Sequence, residues 1–164
     1  MMISLTAIDL QNFIDEQGID AQILHLDVDT PTVADAAVSL NVAPEQIIKS
    51  VLFLADGQPV MVIASGLARL DRKALADFLG VSRRRVKIAS AEQVLAHTGY
   101  VAGSVPPFGY KQPIETVVET AVLQLTGPIF GGGGDIHALM QLTVAELQRV
   151  VGERTAVLRE SPNL

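Results

Sequence analysis

The chain has 164 residues, 49% of them hydrophobic, enough for one domain, 1–164, with a full core. It holds no cysteine, which excludes disulfides, thiolate catalysis and cysteine-ligated zinc. A net charge of −6 argues against a general nucleic-acid binder, and no apolar run approaches the length of a membrane span despite a mean hydropathy of +0.36. The start of the chain lacks a basic stretch followed by an apolar core, so no signal peptide is expected and the expected compartment is the cytoplasm.

Thr6 and Asp9 predict the start of a first helix, with Ala7, Leu10, Phe13 and Ile14 at helical spacing and Gly18 at its end. Ala21 to Leu26 reads as a strand and Asp27 to Pro31 as a turn. Thr32 caps a second helix through Leu40, with Asp35 favouring its N-terminus, and Pro44 starts a short helical turn. Lys49 to Ala55 and Gln58 to Ala64 flank Asp56-Gly57, a strong hairpin signal. Asp71 caps a helix that ends at Gly80, Arg85 to Ile88 reads as a strand, and Ser90 with Gln93 forms a capping box for a helix through His97. Later come a strand at Glu115 to Val118, a helical turn at Ala121 to Leu125, and Pro128 to Phe130 leading into Gly131–Gly134. Ala138 to Leu142 returns as a strand, Thr143 with Glu146 predicts a second capping box, and Thr155 to Leu158 closes the chain. Helices interleave with strands, but the hairpin forces antiparallel pairing. The fold class is therefore α+β, with a mixed sheet that is curved or closed and has helices packed outside.

Charge is distributed unevenly. Residues 1–48 carry eight Asp or Glu and no Lys or Arg. Seven of the twelve basic residues fall between Arg69 and Lys87: Arg69, Arg72, Lys73, Arg83, Arg84, Arg85 and Lys87. Such a cationic stretch on an acidic protein suits a few phosphates of a polyanion, and equally suits a solvated sheet edge.

The stretch Thr98 to Lys111 contains three glycines and the pair Pro106-Pro107. A loop that is permissive at some positions and stiff at others can hold main-chain N–H groups in one direction for a small polar ligand; it can also be a plain surface turn. Lys49 stands at the entrance to the most apolar hairpin. A lysine there is either kept for a ligand's oxygen or is a strand-end residue whose ammonium reaches water. Gly131–Gly134 lacks the ending of a phosphate-binding loop, so it reads as close backbone approach or as a wide turn. His25, His97 and His137 show no metal spacing, and no cofactor is expected. Of these, His25 and His137 lie nearer the loops that could face a site.

Taken in order, Lys49-Ser50 entering an apolar strand, the loop Thr98-Gly99-Tyr100-Val101-Ala102-Gly103-Ser104-Val105-Pro106-Pro107-Phe108-Gly109 and the glycine run Gly131–Gly134 resemble the YbaK / prolyl-tRNA synthetase-associated domain family of trans-editing aminoacyl-tRNA deacylases. The likeness extends from the first helix to the last. It implies a six-stranded, mixed, largely antiparallel and barrel-like sheet. It also implies hydrolysis of the ester that joins a wrong small amino acid, such as alanine or cysteine, to proline tRNA. Lys49 matches the family's key functional residue, and Gly103, Ser104, Val105 and Pro106 match the loop that positions the ester. Thr30, Thr32, Ser50, Gly132 and Gly133 are expected around the substrate. The expected partners are the 3′ end of aminoacyl-tRNA, with weak backbone contacts along Arg69 to Lys87, and an aminoacyl-tRNA synthetase. Two positions depart from the commoner family pattern: Ser104 stands where many relatives have glycine, and Pro106 where many have serine. Those departures motivate a second reading, a non-catalytic binding module of the same fold acting on a synthetase or an oligonucleotide; a third reading is a hydrolase of small free esters using the same pocket.

Overall fold

The computed structural model describes residues 3–27 and 32–160. Five α-helices and eight strands alternate along the described residues, giving the expected α+β class. Helix α1 (Ala7–Gln17) starts at the capping box: the Thr6 N–H donates to Asp9 Oδ2 at 2.8 Å. Strand β1 (Gln22–His25) follows, then α2 (Val33–Leu40), whose first turn is capped by Thr32.

The central hairpin is β2 (Ile48–Ala55) and β3 (Gln58–Ser65), paired antiparallel from Ile48↔Ser65 to Ala55↔Gln58. Asp56 and Gly57 both take positive φ, 52° and 81°, which matches the right-handed twist of the two strands. Arg85 holds the Asp56 carboxylate at 2.7 Å. Helix α3 (Arg72–Leu79) leads to β4 (Val86–Ile88), and α4 (Ala91–Thr98) precedes the long Gly/Pro loop. After it come β5 (Glu115–Glu119), β6 (Ile129–Gly132), β7 (Ala138–Leu142), α5 (Val144–Val151) and β8 (Thr155–Ala156).

The strands form two sheets rather than one of six. A five-stranded sheet has the order β4-β2-β3-β5-β8, antiparallel on one side of β3 and parallel on the other. A three-stranded antiparallel sheet has the order β1-β7-β6. Among the described residues a single parallel bridge, Ile47↔Phe130, joins them, and the sheet is not closed. A cavity lies in the gap beside that bridge.

Three apolar clusters follow from strand alternation. Ile48 and Ile63 face a core shared with Leu10, Ile14, Tyr100, Phe108 and Met140. Phe53, Val60 and Val62 face the other way, against Leu75 and Ala76 of α3. Ala36 and Ala37 of α2 pack on Ile47, Phe130 and Leu139 where the sheets meet.

Three local expectations change. Arg83–Arg85 forms a 3-10 turn, so β4 begins only at Val86. Gly131 and Gly132 are strand residues of β6: the missing side chain lets the Ile48 and Pro107 side chains close on Gly131 and the Val105 backbone close on Gly132. The second capping box is half formed. Thr143 accepts the Glu146 N–H at 3.1 Å, but the Glu146 carboxylate turns away to the Asp20 N–H at 2.9 Å and to Arg149, which offers a charged partner one turn on. No helix among the described residues is long and apolar enough to cross a membrane.

Candidate active site

The cavity opens at an uncovered strand edge. β4 pairs with β2 only at Phe53, Leu54 and Ala55. Beyond them the Ala89 N–H donates to the Leu52 carbonyl at 2.9 Å. Among the described residues no strand pairs with this edge between Leu52 and the Ile47↔Phe130 bridge. Main-chain groups two residues apart on a strand point the same way, so those of Ser50 face the opening. The cavity there is about 280 Å³, lined by Lys49 and Ser50 of β2, Gly103 and Val105 of the Gly/Pro loop, Gly132 of β6, and Thr32, Val33 and Ala36 at α2. Ligand sites of roughly 300–1,000 Å³ hold drug-sized molecules, so this one has room for a small polar group and little more. A second cavity of about 330 Å³ lies around Phe13, Pro107, Tyr110 and Val150, with Lys111 its one charged lining residue. The first is the stronger candidate because main-chain donors, a lysine and an apolar wall converge there.

Lys49 shares a strand face with Val51 and Phe53, opposite Ala64 on β3. Its amine donates to the Ala68 carbonyl, just past the end of β3. Burial pushes the Lys49 ammonium below its usual range, and the Arg159 guanidinium pushes it the same way.

Ser50 lies on the opposite face of β2. Its hydroxyl bonds the Tyr110 phenol, which donates to the Pro106 carbonyl at 2.7 Å. Burial raises the Tyr110 phenol well above its usual range, so it stays a neutral donor. This chain ties the strand to the double-proline bend.

The loop itself is rigid. Gly103 takes φ 94°, a conformation that side chains disfavour, and nothing lies within 4 Å of where a Cβ would sit. Ser104 is buried; its N–H and hydroxyl both return to the Val101 carbonyl, at 3.0 and 2.7 Å, and its carbonyl accepts from Gly134 at 3.0 Å. Pro106 has no N–H. Within Gly103–Pro106 the main-chain N–H groups of Gly103 and Val105 are therefore the donors left over, with no partner among the described residues.

The structure thus brings Lys49, Ser50, Thr32, Gly103, Val105 and Gly132 to one cavity. Ser104, Pro106 and Gly133 do not line it. A Cβ on Gly133 would meet the Ala138 carbonyl carbon at 2.5 Å, so that glycine serves the turn between β6 and β7. Thr30 lies outside the described residues. Thr32 lines the cavity, but its hydroxyl is engaged with Asp35 in capping α2. His25 and His137 do not line it. Residues not foreseen from sequence are Val33, Ala36, Ile88, Ala89 and Val94, small or apolar groups that read as ordinary core or edge residues. Only Ile88, 67% exposed, carries a signal: an apolar side chain left in water at the end of an arginine-rich stretch.

Comparisons with known proteins place the sequence and the fold. The chain is 30% identical over 113 residues to the proline–tRNA ligase of Lactiplantibacillus plantarum, covering 67% of this chain and 20% of that enzyme. It is 28% identical over 126 residues to the Bacillus subtilis protein YwhH, covering 76% and 78% of the two chains. A crystal structure of a proposed trans-editing enzyme for prolyl tRNA synthetase superposes with a TM-score of 0.87 at 27% identity, over 94% of this chain and 97% of the other. The chain spans about a fifth of the length of the ligases it matches. The family model of the aminoacyl-tRNA editing domain matches residues 27–150, three quarters of the sequence, and the chain belongs to that family.

Proposed function

We propose that the protein hydrolyses the ester of mischarged aminoacyl-tRNA, with a small amino acid such as alanine or cysteine on proline tRNA as substrate. The observation that carries this reading is that Lys49 and the unpartnered N–H groups of Gly103 and Val105 belong to residues lining one small cavity in a chain of the editing family.

An aminoacyl ester is already activated, so positioning and charge stabilisation are enough. Water adds to the carbonyl carbon and gives up a proton as the new C–O bond forms. Negative charge then develops on the carbonyl oxygen, where the N–H groups of Gly103 and Val105 steady it. The intermediate collapses by breaking the bond to the ribose oxygen, which takes up a proton and leaves as the free hydroxyl. The Lys49 ammonium holds a ribose or phosphate oxygen of the terminal adenosine. The exposed basic residues Arg83, Arg84 and Lys87 lead to the cavity mouth through Ile88 and meet the tRNA backbone. Residues 1–164 act as one editing unit in the cytoplasm, alone or beside a synthetase. The apolar wall of Val33 and Ala36 and the small volume favour a small amino acid.

The test is a deacylation assay across a panel of mischarged tRNAs, with Lys49→Ala beside the wild type. Turnover of one or a few small aminoacyl esters, lost in a folded Lys49→Ala, supports the proposal. Binding without turnover supports the non-catalytic module, which the engagement of the Lys49 amine by Ala68 favours. Turnover confined to small free esters supports the third reading.

A further inference from the structure

The segment Leu158–Glu160 lies beyond the matched family region and is bonded to the stretch that follows Ala68, the partner of the Lys49 amine. It runs antiparallel to Arg69–Asp71. The Asp71 N–H donates to the Leu158 carbonyl at 2.5 Å, the Glu160 N–H donates to the Arg69 carbonyl at 2.7 Å, and Leu70 bridges Arg159. Leu158 is buried against Leu75 in the cluster under α3. The Arg159 Nε donates to Glu119 Oε1 at 2.6 Å, and that carboxylate, at the end of β5, is 1% exposed. Its second oxygen accepts from the Ala121 N–H at 3.3 Å. The Arg69–Asp71 stretch thus held follows directly on Ala68, whose carbonyl takes the Lys49 amine.

We propose that Arg159 is a positioning residue for Lys49: clamped to the buried Glu119, it holds Leu158–Glu160 against Arg69–Asp71 and so fixes the Ala68 carbonyl to which the Lys49 amine is bonded. The need for a brace follows from geometry. Lys49 has a long, flexible stem, and its neighbours Ser50, Ala64 and Ser65 carry no charge to orient it. The turn that presents Ala68 is closed on its β3 side, where the Ala68 N–H donates to the Ser65 carbonyl at 3.1 Å; on its other side exposed Arg69 leads into the stretch bonded to Leu158–Glu160. Charged groups on the packed elements are Arg69 and Asp71 on that segment, Arg72 and Lys73 at the start of α3, and Arg159 with Glu119 behind it. Of these, Arg159 is the one whose charge bears on Lys49, and as a like charge it makes the ammonium easier to deprotonate.

This role rests on Lys49 acting in the proposed hydrolysis, so the test reads Lys49 directly as well as activity. The pH dependence of Lys49 acetylation by acetic anhydride, followed by mass spectrometry, gives its titration without any substrate. The variants are Arg159→Lys, Arg159→Gln and the double variant Glu119→Gln/Arg159→Gln, which leaves no lone carboxylate buried and keeps the test valid if the single variant fails to fold. In both Gln variants Lys49 titrates at higher pH, because the like charge is gone and water reaches the amine; in Arg159→Lys the wild-type titration is kept. On the aminoacyl ester, kcat falls about tenfold in the Gln variants with little change in KM, the mark of lost positioning. A Lys49 titration that stays at the wild-type pH in a folded double variant overturns the proposal, whatever happens to kcat. A shifted titration in a protein that hydrolyses no ester supports the brace and sinks the hydrolytic reading instead.

Discussion

Gly132 offers the sharpest test of how the site is built. A Cβ placed there would sit 2.1 Å from the Val105 carbonyl oxygen, 2.7 Å from its carbon and 3.1 Å from the Ser104 carbonyl oxygen. All three are backbone atoms, and real Cβ contacts do not fall under 3.0 Å, so in Gly132→Ala the loop must retreat by about 1 Å. It cannot retreat freely, since Ser104 is bonded to Gly134 and Pro106 to Tyr110. Overpacking of this kind costs about 1–3 kcal/mol of stability. Displacing the Gly103 and Val105 donors by that amount costs about a hundredfold in kcat, or roughly 2.7 kcal/mol on the barrier. The control is Gly80→Ala at the end of α3, where φ is +72° and no atom lies within 4 Å; it costs about 1–2 kcal/mol through backbone strain alone, far from the cavity. Urea unfolding and single-turnover deacylation of alanyl-tRNA for proline separate the two effects. Both variants lose stability, and only Gly132→Ala loses activity. A folded Gly132→Ala with kcat within about twofold of wild type would refute the reasoning, because the loop would then not be what holds the ester.

Lys49→Met lowers kcat by about 10²-fold or more while stability at neutral pH holds or rises, since the substitution removes a partly buried ammonium. The ammonium's pKa lies below the ordinary 10.5, so its burial penalty is present below the folded value and relieved as pH rises from there to 10.5. Its share of catalysis, measured as the wild-type rate over that of Lys49→Met, therefore falls as pH rises through the lowered value. Charge reversal at Arg84 and Lys87 raises KM at low salt and reduces the slope of log KM against log salt by about one for each phosphate no longer neutralised; an unchanged salt slope rules out that face as the tRNA-binding surface. Glu146 titrates at about 2, held down first by Arg149 and then by the Asp20 N–H. A depressed carboxylate contributes stability above its unfolded value, lost as pH falls from about 4.5 toward 2. Allowing for the exposed Arg149, Glu146→Gln costs about 1 kcal/mol in urea unfolding at pH 7 and close to nothing at pH 2.

Local signals set the elements. Thr6 with Asp9, Thr32, Asp71 and Ser90 with Gln93 each mark a helix start in the sequence, because a cap is satisfied by residues two or three positions away. Asp56-Gly57 marks the hairpin for the same reason. The order Lys49, Gly103 loop, glycine run was enough to suggest the family. What the sequence could not show is which surface each glycine serves. Gly103 stands open at the cavity, Gly132 receives the Val105 carbonyl, and Gly133 receives the Ala138 backbone, yet all three are the same letter beside similar neighbours. Only the packing of segments far apart along the chain distinguishes them.

The division has a physical basis. Helix caps, turns and apolar alternation are short-range, so the chain's own letters decided the α+β class and nearly every element along it. The split into two sheets, the bare edge of β2, the seat of the Lys49 amine on Ala68 and the Arg159–Glu119 clamp behind it depend on contacts between residues far apart in sequence. Those contacts exist only once the segments have packed, and tertiary structure alone decided them.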